Sequence, residues 1–187
     1  MRRREGGKKL FVTVPGRAGL SSRLYNTMIM QRVTFRELWE VMSALEPMAA
    51  EASARNITPE LLDRLNGNIK RTKSALADTH MLTELDIEFH DLVAEASSNR
   101  ALQLSHDAIS KLFYPAFLKV FMKLNAGERL LVAHQKVYEA LANRDEREAR
   151  SWMAKHIADF KRGYELANFD IEENVTSHDI LALATKP

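Results

Sequence analysis

Asp86 and His90 are four residues apart, in a segment where Leu82, Leu85, Phe89, Leu92 and Val93 recur at steps of three and four. On a helix this spacing stacks a carboxylate and an imidazole on one face, one turn apart. Such a pair can grip one metal ion, or it can be a surface contact worth ~0.3 kcal/mol. Which of the two holds depends on what other helices direct at it. His134 lies one turn from Leu130 and Tyr138, and His156 one turn from Trp152 and Phe160, so both sit on apolar stripes. His80, His106 and His178 stand at element ends or among polar neighbours and are set aside. Three imidazoles and one carboxylate form a borderline-hard donor set suited to one divalent Zn, Ni, Mn or Fe ion. Either inward histidine alone is more often a core residue hydrogen-bonded to a carbonyl than a ligand. Convergence therefore does not follow from spacing.

The elements that must position these residues are helical from Thr34 onward. Thr34 caps a helix whose stripe runs Phe35, Leu38, Val41, Met42, Leu45, Met48, Ala49 and Ala52, with Pro47 expected to kink it. Thr58-Pro59 restarts the chain as a second helix. A third covers about 80–97 and carries Asp86 and His90. A long fourth follows Asn99, with Pro115 inside it; a fifth carries His134 and a sixth His156. The expected fold class is all-α, an antiparallel bundle of about six to seven helices behind a short β-rich stub. Residues 1–15 read as that stub, 16–33 as a linker with at most a short helix, 34–168 as the bundle and 169–187 as a tail. Ile180–Ala184 is a candidate terminal helix.

The 187 residues suffice for one well-buried core. With no cysteine there are no disulfides and no thiolate ligands, which fits a reducing cytosol. No apolar run reaches the ~18–20 residues of a membrane span, and no apolar stretch behind the N-terminal charges suggests a signal peptide. The net charge of +2 is uneven: Arg2, Arg3, Arg4, Lys8, Lys9, Arg17 and Arg23 face only Glu5 in residues 1–23, ahead of a mildly acidic body. Such a head is either a solvated tail or a contact for anions, phosphate above all.

The blocks RELWEVMSALEPMAAEASARN, Asp86 to His90, SSNRAL, AHQKVYEALANRDEREA and MAKH resemble, in order and spacing, the FCD effector domain of GntR-type bacterial transcription regulators. The resemblance covers roughly residues 34–165. It implies an all-helical, usually dimeric domain that binds a small carboxylate effector beside a metal held by Asp86, His90, His134 and His156. Two departures stand out. Met42 occupies the place of an arginine that pairs with the effector carboxylate in many members, which suggests a more apolar effector beside Met42, Phe89, Asn99, Phe113 and Phe117. Residues 3–15 resemble the wing of a winged helix-turn-helix, with Lys9 for a glycine, and the three helices expected before a wing do not precede it. The chain then holds the sensor and a remnant of the reader, with Arg2, Arg3, Arg4, Lys8 and Lys9 left for weak, non-specific phosphate contacts.

Three functions compete. The first is a ligand-responsive, homodimeric regulator with no enzymatic activity and no membrane partner. The second is a metal-dependent hydrolase, disfavoured because neither H-E-x-x-H nor E-x-x-H occurs. The third is a metal-free dimerisation module in which the histidines only pack.

Overall fold

The computed structural model describes residues 2–3, 10–11 and 17–175. At the N-terminus β1 (Arg2–Arg3) pairs antiparallel with β2 (Leu10–Phe11), two residues a side. Eight α-helices follow among the described residues, so the fold class is all-α. They are α1 (Arg17–Met30), α2 (Phe35–Asn56), α3 (Pro59–Ser74), α4 (Thr79–Ala96), α5 (Arg100–Ile109), α6 (Tyr114–Leu124), α7 (Gly127–Ala142) and α8 (Glu146–Leu166).

The helix starts are written into local sequence. Thr34 and Glu37 form a reciprocal capping box at α2. Thr58 accepts from Leu61 N, Asp78 from Met81 N and Asp145 from Glu148 N, each satisfying a free N–H of the first turn. Asn125, at φ 47°, ends α6 in the left-handed region that asparagine tolerates.

Two expectations need correction. The stretch 16–33 is not a linker with at most a short helix: α1 is 14 residues long. Gly19 and Ser21-Ser22 lower its intrinsic propensity, but Tyr25, Met28 and Ile29 pack onto the core beside α5, and that burial outweighs it. The long fourth helix is two helices, α5 and α6, joined by a 3₁₀ turn at Ser110–Phe113. Pro115 does not interrupt a helix; it sits in the first turn of α6, where its missing N–H costs nothing. These two changes raise the helix count above the expected six or seven.

The core has two apolar clusters. One joins α2, α3, α4, α7 and α8 through Ala49, Leu65, Phe89, Val137, Met153 and neighbours. The other gathers Leu38, Met42, Leu112, Phe113, Phe117 and Tyr164 around the start of α2 and α6. The α2 helix lies along α8 and is tied to it by Trp39 Nε1, which donates to Ile157 O at 3.1 Å. Past α8 the chain returns over the start of α2, where Val175 N donates to Val33 O at 2.9 Å and Val175 is buried. Arg4, Lys8, Lys9, His178 and Ile180–Ala184 lie outside the described residues.

Candidate metal and effector site

The α4 helix presents Asp86 and His90 inward, one turn apart, and α7 and α8 bring His134 and His156 to the same point. The three Nε2 atoms surround Asp86 Oδ1: His134 at 3.1 Å, His90 and His156 at 3.8 Å each. His90 Nε2 is 3.1 Å from His156 Nε2, and one ligand atom from each of the four residues lies within 4.8 Å of every other. Asp86 and His134 are fully buried, while the His156 side chain is 10% exposed and is the member that opens outward. The ring of Phe89 stacks on His134 with centroids 3.8 Å apart, fixing that imidazole from behind.

Behind this cluster stands a second one. Glu46, fully buried on α2, accepts from His90 Nδ1 through Oε2 at 2.9 Å. Its Oε1 lies 2.7 Å from His106 Nε2 on α5, and His106 Nδ1 is 3.2 Å from Asp91 Oδ1. Both His106 contacts are ion-pair contacts off the line of a good hydrogen bond. By holding the Nδ1 proton of His90, Glu46 turns Nε2 toward Asp86.

A model of the FCD domain matches residues 37–159, the span from α2 to α8 that contains all six of these side chains. The chain belongs to the FCD family of GntR-type regulators. It is 27% identical over 164 residues to the HTH-type transcriptional regulator LutR of Bacillus subtilis (strain 168), covering 83% of this chain and 72% of that one. It also shares its fold with Streptococcus agalactiae GntR at a TM-score of 0.57 and 24% identity. That match covers 76% of this chain, and the chain spans 60% of the length of that structure.

Electrostatics separate the two clusters of this FCD domain. Burial drives the His134 pKa down to about 3 against the opposing contact with Asp86, so its ring is neutral with one nitrogen lone pair available. Burial works to raise the Asp86 pKa, but the contacts of His134 and His156 and the charge of His90 hold it far below the carboxylate range. For His106 burial works downward and is overcome by the charge of Glu46 and contacts to Asp91 and Glu46, which push it up to about 10. Glu46 is likewise held well below its ordinary value, burial opposing and His90 and His106 prevailing. His90 is raised, Glu46 outweighing burial. Both oxygens of Asp86 and both nitrogens of His134 are buried without a hydrogen-bond partner. The Asp86 carboxylate and the Nε2 of His134, buried side by side and short of hydrogen-bond partners, fit a metal site.

Asp86 and His156 also line a cavity of about 220 Å³ walled by Phe117, Val120, Phe121, Leu130 and Phe160. Of the residues expected around an effector, Phe117 lines this cavity. Phe113 packs behind it at 5.7 Å, Met42 is buried in the same apolar cluster, and Phe89 backs the metal cluster. Asn99 is exposed and caps α5, accepting from Ala101 N and Leu102 N. The sequence reading missed Glu46 and His106. Glu46 falls one turn from both Met42 and Ala50 on the α2 stripe, and His106 one turn from Leu102 and Ile109. That is the signal that singled out His134.

Proposed function

We propose that this chain is the sensing domain of a ligand-responsive transcriptional regulator, holding one divalent transition metal on Asp86, His90, His134 and His156. The observation that carries this reading is the ring of three imidazole nitrogens around one buried, unpartnered carboxylate oxygen. The donor set suits Zn, Ni, Mn or Fe. Bound there, the metal supplies a Lewis-acidic centre for an oxygen of a small organic acid or a more apolar effector. Phe117 gives that molecule an apolar wall, with Met42 and Phe113 behind it. Phe89 keeps His134 in place, and Asn99 contributes through the start of α5.

Metal and effector favour one arrangement of the bundle and so reposition attached DNA-binding heads. The domain works as a homodimer; Val41 and Met48, both 43% exposed and seven residues apart on α2, support an apolar contact face. No helix among the described residues is long and apolar enough to cross a membrane. A regulator of this kind acts in the cytoplasm, where its DNA is. The basic residues Arg2, Arg3, Arg4, Lys8 and Lys9 add a contact with phosphates that is weak, sequence-independent and steeply salt-dependent.

Elemental analysis of protein purified without chelator tests the metal assignment. The expected result is about one metal per chain, lost in His134→Ala along with a metal-dependent gain in stability of ~4 kcal/mol at a thousandfold excess over Kd. Protein that is metal-free and also refuses added Zn²⁺, Ni²⁺ and Mn²⁺ contradicts the proposal.

A further inference from the structure

We infer that His106 Nδ1 and the carboxylates of Asp91 and Asp107 form a second divalent-cation site, between α4 and α5 and apart from the Asp86 cluster. The inference stands independently of the metal assigned to Asp86.

His106 falls on the buried stripe of α5, one turn from Leu102 and Ile109, and its side chain is 1% exposed. Its Nε2 lies 2.7 Å from Glu46 Oε1, so the buried carboxylate takes that end of the ring. Nδ1 is then directed at Asp91, with Oδ1 3.2 Å away but off the line of a good hydrogen bond. Asp91 follows His90 on α4, and Asp107 follows His106 on α5. Each leaves its helix about 100° round from the histidine before it. That step brings Asp91 to the surface and leaves Asp107 half-buried. One ligand atom from each of Asp91, His106 and Asp107 nevertheless lies within 4.8 Å of the other two. Donors bound to one zinc at roughly 2.0–2.2 Å stand ~3–4 Å apart, so small side-chain shifts close the three on an ion.

A carboxylate behind the far nitrogen of a ligating histidine fixes its ring and raises its basicity, and Glu46 stands in that place. One imidazole nitrogen and two carboxylates beside solvent suit Zn²⁺ or Mn²⁺, with water completing the coordination. Without this cation His106 keeps its proton and its ion pairs to Glu46 and Asp91. The ion must displace that proton, so the site is weaker than the one at Asp86 and fills only when cation is in excess. A cation there clamps α4 to α5, the helix against which α1 packs.

Calorimetric titration of the chelator-stripped whole chain with Zn²⁺, carried well past one equivalent, tests this. A weaker event of one ion per chain should follow the tight one, and the Nδ1 resonance of His106 in nitrogen NMR should move with it. Asp107→Asn should weaken the second event at least about tenfold, the lower end of what losing even an outer partner costs. It should leave the first unchanged. His106→Gln should remove the second event, and Glu84→Gln, an exposed acid elsewhere on α4, should keep both. No second event, a second event unchanged in Asp107→Asn, or a His106 resonance that stays still each overturns the inference. His134→Ala should lose the first event and keep the second. A parent chain that shows only the event sensitive to Asp107 supports this inference and contradicts the Asp86 assignment alone.

Discussion

Two histidine–carboxylate clusters meet at His90, and they differ in the ratio of base to acid. Around Asp86 three imidazoles face one carboxylate, and buried lone pairs are left without partners. Around Glu46 two imidazoles share the carboxylate and Asp91 stands behind one of them. The first has more nitrogen than protons can satisfy at neutral pH, and His134 is held neutral, with its pKa near 3. The second is matched in charge: its Glu46 Oε1 and His106 nitrogens also lack a well-aligned hydrogen bond, but His106 is held protonated beside the carboxylates, its pKa pushed up to about 10. The same residue types, meeting at the two nitrogens of His90, thus make a place for a metal and a place for an ion pair. What decides between them is how many carboxylates each ring can reach.

The sharpest way to break this contrast is Glu46→Gln, because Glu46 serves both sides. It leaves a buried imidazolium without its anion, so denaturant unfolding should show a loss of about 3 kcal/mol. It also frees the ring of His90, so zinc affinity measured by competition should fall ~10–100-fold. Unchanged stability and affinity would mean that Glu46 neither pairs with His106 nor orients His90.

His106→Gln sharpens the contrast through pH. The folded pKa of His106 lies above its ordinary 6.5, raised by Glu46 and Asp91 with the His90 ring also facing it. Its stabilising contribution is therefore full below about 6.5 and is lost as pH rises toward about 10. Glu46 acts in the opposite sense, its contribution disappearing as pH falls below the ordinary carboxylate value. Denaturation between pH 6.5 and 10 should show a decline in the parent chain that is shallower in the variant by at least ~1 kcal/mol. Parallel curves would remove the charged His106 from the account.

The smallest effect belongs to Asn99→Ala, which strips the cap of α5 but touches neither cluster. It should cost ~1 kcal/mol in thermal or chemical unfolding. Zinc uptake should stay unchanged; a fall would place Asn99 in the site.

Much of this site was legible because helices repeat. The step of four between Asp86 and His90, and the apolar stripes under His134 and His156, name the four residues that α4, α7 and α8 bring together. His106 was hidden by its neighbours Ser105 and Asp107, which are adjacent in sequence yet point to other sides of α5. Glu46 was hidden because a carboxylate on an apolar stripe makes sense only once its two histidines are seen. The α1 helix was illegible for another reason: its residues favour helix weakly, and contacts far along the chain hold it. The cavity is a gap between α6, α7 and α8, and a gap leaves no periodicity to read.

The most direct measurement is anomalous diffraction at the zinc edge from crystals of the chain loaded with one equivalent of Zn²⁺. The account predicts one peak about 2.0–2.2 Å from the Nε2 atoms of His90, His134 and His156 and from a carboxylate oxygen of Asp86. Glu46 and His106 should remain paired behind it. A peak bound instead by Glu46, His90 Nδ1 and His106, with the Asp86 cluster empty, would contradict it.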